Sequence, residues 1–141
     1  MSGSDSDTRT VLLLVENEPL VRMFNADVLD DAGFRVVEAA NAEEAIALFE
    51  ARPDIKAVVT DVEMPGPRNG MDVAEHVRTK RPLVGVIIVS GREHPRLKEF
   101  TTRGGRFLAK PYSAEDLLHE VQGVLGPSDQ TQGSPPGKDA P

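Results

Sequence analysis

Short apolar runs alternate with helical patterns along the chain. Val11–Val15 is continuously apolar, the pattern of a strand buried on both faces. Pro19 can open a helix whose Leu20, Phe24 and Val28 share one face at i, i+4 and i+8, with Gly33 ending it. Residues 34–39 alternate, with Arg35 and Glu38 interleaved, as in an edge strand. Asn41-x-x-Glu44 has the form of a capping box for a second helix that ends before Pro53. Ala57-Val58-Val59 is a third strand, and a Pro- and Gly-rich loop over 64–70 leads to a helix over 71–80. A fourth buried strand covers 84–89, a short helix 96–102, and a last strand 106–109. Ser113-x-x-Asp116 caps a final helix carrying Leu117, Leu118, Val121 and Leu125, stopped at Gly126-Pro127. The order is β-α repeated five times. It predicts an α/β fold, a doubly wound parallel sheet with helices on both faces. Functional residues of such sheets lie beyond the carboxyl ends of the strands.

Composition narrows the picture. A chain of 141 residues with 39% hydrophobic content suits one domain with its own core. Residues 1–8 and 127–141 are polar, the latter rich in Gly, Pro and Ser, and are expected to be disordered. The folded unit is expected over 9–126. No apolar run is long enough to cross a bilayer, and the first residues lack the basic and apolar regions of a signal peptide. The absence of cysteine rules out disulfides and thiolate chemistry and fits a cytoplasmic setting. A net charge of −7 argues against nucleic acid, whose binding draws on Lys and Arg.

The strand ends carry the chemistry. The first ends in Glu16-Asn17-Glu18, the third in Thr60-Asp61, the fourth in Ser90-Gly91 and the fifth in Lys110-Pro111. Singly, each has a bland reading. The acids favour a helix N-terminus, Asp61 suits a turn, Ser90-Gly91 is an ordinary turn, and Lys110-Pro111 leads into a helix. Together they supply oxygen ligands for a hard divalent cation such as Mg²⁺ or Mn²⁺, a hydroxyl, and an ammonium. That set suits a phosphoryl group, whose oxygens need a metal, a cation and hydrogen-bond donors. Asp61 would be a carboxylate nucleophile forming an acyl phosphate. Gly91 would leave room for the ligand.

The stretches VLLLVENEPLVR, VVTDVEMPG with the later NGMD, IIVSGR and GGRFLAKPYSAEDLL resemble the receiver domain of bacterial two-component response regulators, over roughly residues 10–125. The resemblance implies a flavodoxin-like fold with strand order 2-1-3-4-5. It makes Asp61 the phosphoacceptor and gives the metal Glu16, Asn17, Asp61 and the backbone carbonyl of Glu63. Ser90 and Lys110 would bind the phosphoryl group, Ser90 and Phe107 would form the switch, and a cis Lys110–Pro111 peptide is expected. The donor would be a histidine kinase or phosphotransfer protein, and the output a downstream protein partner or a phosphorelay. Two departures stand out. Asn17 occupies the place of a ligating Asp, which predicts weaker metal binding. Glu63 and Arg92, each two residues beyond a site residue, are expected to pair over the acceptor and tune the lifetime of the phosphoryl group.

The reading is therefore a stand-alone phosphoacceptor, not an enzyme beyond self-directed phosphoryl transfer and autodephosphorylation. The alternative is a pseudo-receiver that binds a protein without phosphorylation, supported by Asn17. A haloacid-dehalogenase-type phosphatase would place Asp where Glu63 stands, and no Walker-type or GxGxxG loop follows the first strand. His76, His94 and His119 read as surface residues.

Overall fold

β1 (Val11–Val15) is buried at every residue, as its unbroken apolar run requires. It is an interior strand, second from one edge, of a five-stranded parallel sheet in the order β2-β1-β3-β4-β5. The other strands are β2 (Arg35–Ala39), β3 (Ile55–Asp61), β4 (Gly85–Ser90) and β5 (Arg106–Ala109). The computed structural model describes residues 8–126, so the disorder expected for 1–8 and 127–141 lies, Thr8 apart, outside the described residues. β2 is an edge strand, which explains its half-polar pattern. β3 outruns the three apolar residues that announced it, because Thr60 and Asp61 continue the ladder against Ile88 and Val89 of β4.

Five helices connect the strands: α1 (Pro19–Asp31), α2 (Ala42–Ala51), α3 (Gly70–Lys80), α4 (Pro95–Thr102) and α5 (Ala114–Val124). α2, α3 and α4 pack on one face of the sheet, around Phe49, Val73, Val77 and Phe100 against Leu13, Val58 and Ile88. α1 and α5 pack on the other, around Leu29, Leu117 and Val121 against Leu12, Leu14 and Ile87. No described helix is long and apolar enough to cross a membrane.

Two expectations about helices need correction. α1 does not bury Leu20 and Phe24, which are 75% and 58% exposed; it buries Asn25, Ala26 and Leu29. Apolar spacing finds a stripe but does not say which stripe meets the sheet, and here the inward one contains an amide. At α2, Asn41 caps as predicted by accepting from the Glu44 N–H, but the Glu44 carboxylate accepts from Ala40 rather than from Asn41. Full capping boxes occur instead at Asn69/Asp72 on α3 and Ser113/Asp116 on α5. The first was not anticipated, although Asn69-x-x-Asp72 lay at the edge of the Pro- and Gly-rich loop.

The chain leaves β1 toward β2 on one side and returns to β3 on the other. The carboxyl ends of β1 and β3 therefore border the crevice where connections part, the usual seat of a site in such a sheet.

Candidate functional site

Asp61 is the last residue of β3 and only 4% exposed. Burying a carboxylate is costly unless it is bonded or paired. Here Oδ2 accepts from the Lys110 ammonium at 2.7 Å, and Oδ1 accepts from the Glu63 N–H at 3.3 Å. Burial alone would lower the pKa of Lys110, but the hydrogen bond and charge of Asp61, with Glu16 behind it, raise it instead. Lys110 is held in turn by its backbone N–H, which donates to the Ser90 carbonyl at 3.0 Å. The Lys110–Pro111 peptide is cis.

Glu16 follows β1 and is also buried. Its carboxylate turns back to accept from the Glu18 N–H at 3.0 Å, and Arg22 donates to its backbone carbonyl at 2.7 Å. Burial first, then the neighbouring Asp61, push the pKa of Glu16 up. Two buried carboxylates thus share a site with one ammonium, and a cation between them would relieve the repulsion. Asn17 lines the adjoining cleft with Glu63, Met64, Pro65, Asn69 and His94. Among the described residues no three His, Asp, Glu or Cys side chains cluster as a ligand set. Two carboxylates, with the Asn17 amide in the adjoining cleft, are hard oxygen donors of the kind that suits a hard cation keeping several waters.

Ser90 ends β4 and is buried. Its hydroxyl donates to the Arg92 carbonyl at 2.7 Å and accepts from the Arg92 N–H at 3.2 Å, so it is engaged with its own loop. Phe107 on β5 is half-buried, paired with Ile88. Ser90, Leu97, Thr101, Phe107 and Lys110 line one open cleft. Glu63 and Arg92 do approach each other, at 4.0 Å with both side chains largely exposed. An ion pair that long and that wet contributes little to stability. A Cβ on Gly91 would meet only the Lys110 side chain, at 3.7 and 3.8 Å, so packing does not demand glycine there.

Gly70 does answer to packing, and sequence reasoning missed it. A Cβ there would stand 1.9 Å from the Asp61 carbonyl oxygen. The Gly70 N–H donates to Val62 at 3.0 Å, so the start of α3 lies directly against the acceptor's backbone. Tyr112 and Asn25 were also missed; the Asn25 amide donates to the Tyr112 hydroxyl at 2.7 Å beneath the site.

A family profile described as the response regulator receiver domain matches residues 12–122. The chain belongs to the response regulator receiver family. Receivers are signalling domains of two-component systems, and phosphoryl acceptance on an aspartate is general to them. The chain is 31% identical over 129 residues to the transcriptional regulatory protein PdtaR of Mycobacterium tuberculosis, covering 86% of this chain and 62% of that protein. It is 31% identical over 130 residues to the sensor kinase CckA of Brucella abortus, covering 90% of this chain and 14% of that one. The chain therefore spans less than two thirds of the length of these relatives. The response regulator TrrA of Thermotoga maritima, solved in complex with Mg²⁺ and BeF, superposes with a TM-score of 0.74 at 27% identity, covering 82% of this chain and 99% of that one. The receiver fold and strand order expected from the sequence are those observed.

Proposed function

We propose that this receiver accepts a phosphoryl group on Asp61 from a phosphohistidine of a histidine kinase or phosphotransfer protein. The observation that carries the reading is the Asp61–Lys110 pair at 2.7 Å, with Asp61 4% exposed and buried Glu16 and Ser90 around it. A carboxylate oxygen of Asp61 attacks phosphorus, the P–N bond to the donor imidazole breaks, and its electron pair stays on the imidazole nitrogen. The product is an acyl phosphate, which water later cleaves. The Lys110 ammonium is within reach of the charge that develops on the phosphoryl oxygens. The Ser90 hydroxyl reaches the same oxygens by giving up its bond to the Arg92 carbonyl. Phe107 shares the cleft that Ser90 would vacate. A Mg²⁺ or Mn²⁺ ion, held by Glu16, Asn17, Asp61 and the backbone carbonyl of Glu63, would supply further neutralisation. The Mg²⁺ and BeF in the TrrA complex support that assignment.

The likeness to a sensor kinase supports a kinase-fed system. The exposed Leu20, Met23 and Phe24 on α1, which starts three residues beyond Glu16, support a protein donor docking beside the site. Output, on this reading, passes to a protein partner or along a phosphorelay, and the chain acts as a switch rather than as an enzyme with a substrate of its own.

The test is intact mass after treatment with acetyl phosphate, and a beryllofluoride titration, each with and without Mg²⁺, on the wild type and on Asp61→Ala. A metal-dependent adduct that Asp61→Ala abolishes is the expected result. No adduct and no metal response in the wild type would favour a binding module that works without phosphorylation, the reading to which Asn17 points.

A further inference from the structure

An asparagine in the middle of a helix, buried against the core, needs an explanation. Asn is a poor helix former, and its amide is costly to bury without a partner. Asn25 is 3% exposed, and its Nδ2 donates to the Tyr112 hydroxyl at 2.7 Å, across the gap between α1 and the β5–α5 turn. A phenylalanine at 112 would fill the same space, so the hydroxyl serves this bond. Burial, together with the negative charges of Glu16 and Asp61, pushes the phenol pKa up, so the group stays protonated and available for hydrogen bonding.

Tyr112 stands two residues after Lys110. The turn is tied at one end by the Lys110 N–H on the Ser90 carbonyl. It is tied at the other by the Ser113/Asp116 capping box. Between these ties lie Pro111, which has no N–H to give, and Tyr112. The Lys110 side chain is long, rotamer-rich and 37% exposed. Its reach to Asp61 therefore depends on where its backbone is held.

We propose that Asn25 and Tyr112 are positioning residues: their buried hydrogen bond sets the turn from which the Lys110 ammonium reaches Asp61. The proposal rests on the phosphoacceptor reading above for its catalytic consequence and on geometry for its structural one. Tyr112→Phe leaves the Asn25 amide unpaired and lowers stability. The double variant Asn25→Leu/Tyr112→Phe replaces both partners by apolar groups of similar shape and restores stability.

The experiment measures the rate of phosphoryl acceptance from acetyl phosphate at saturating Mg²⁺, beside a urea melt. Tyr112→Phe and the double variant are both expected to slow acceptance about fivefold, the effect of losing one typical hydrogen bond. In a Lys110→Ala background neither change slows it further. A rate that recovers along with stability in the double variant, or equal slowing without Lys110, would overturn the proposal and leave the pair merely structural. A second readout needs no phosphoryl transfer. In a crystal structure of the double variant the Lys110 ammonium is expected to leave its 2.7 Å contact with Asp61 Oδ2, and an unmoved contact counts against the pair. A wild type that takes no phosphoryl group sinks the phosphoacceptor reading, while the structure of the double variant still decides the positioning claim.

Discussion

The two faces of the sheet are finished differently. On the α2–α3–α4 face, arginines join neighbouring helices. Arg81 donates to the Phe49 and Arg52 carbonyls at the end of α2 and stacks its guanidinium 3.6 Å from the Phe49 ring. Arg78 donates to the Phe100 and Arg103 carbonyls at the end of α4. Arg96 of α4 bonds Asp72 and Glu75 of α3, and His76 meets Glu50 of α2. Arg81 thereby serves the Phe49 carbonyl, in the last turn of α2, where a helix end leaves its carbonyls without helical partners. On the α1–α5 face, the link between α1 and the β5–α5 turn is the Asn25–Tyr112 bond, while Leu20, Met23 and Phe24 face solvent. One face is closed by polar bonds within the chain. The other keeps apolar surface beside the acceptor, where a partner has something to bury.

The comparison can be broken on its closed side first. Gly70→Ala forces a methyl against the Asp61 carbonyl and should cost about 3 kcal/mol by urea denaturation, disturbing the acceptor as well. Arg81→Ala should cost about 2 kcal/mol, since the Phe49 carbonyl and ring lose their partner and the Arg52 carbonyl loses one of two donors. On the open side, Leu20→Asp with Phe24→Asp should change stability by no more than about 0.5 kcal/mol. The same variant should lose phosphoryl transfer from a phosphohistidine donor yet keep acceptance from acetyl phosphate. If both donors fail equally, the apolar surface is not a docking face.

Charge at the site sharpens the contrast. Glu16 has a folded-state pKa above its unfolded one, so its ionisation costs stability. Stability from this group should rise as pH falls through the folded value and gain nothing more below the unfolded value near about 4.3. Glu16→Gln should therefore stabilise the fold by about 1 kcal/mol at pH 7, lose that gain in acid, and weaken Mg²⁺ binding. Asp72 behaves oppositely. Burial alone would raise its pKa, but the Asn69 N–H and Arg96 outweigh that and lower it. Its contribution should be present above about pH 3.9 and fade as pH drops through the folded value. The smallest effect belongs to Glu63 and Arg92. Replacing either by Ala should speed hydrolysis of the phosphoryl group roughly twofold, in line with a weak exposed pair, and an unchanged rate would dismiss a shielding role.

The alternation of buried strands with helical patterns, and the placing of Glu16, Asp61, Ser90 and Lys110 at strand ends, were legible because a parallel sheet ties side-chain pattern and chain direction to position. Asp61 and Lys110 are 49 residues apart in sequence, yet their pairing could be foreseen from topology. Other features were hidden for a common reason. The exposed Leu20 and Phe24, the buried Asn25, the need for Gly70 and the arginines reaching neighbouring helices depend on which element lies against which, and at what distance. Apolar spacing reports that a helix has a stripe, not where its neighbour stands.

The sequence by itself determined the fold class, the strand order through the receiver resemblance, and the residues gathered at the carboxyl end. Those follow from local periodicity and chain connectivity, which are properties of the residues in order. The tertiary structure alone decided the open face of α1, the engagement of the Ser90 hydroxyl with its own loop, and the tie from Asn25 through Tyr112 to the Lys110 turn. Each is settled by distances of a few ångströms between segments far apart in the chain, and no one-dimensional pattern carries that information.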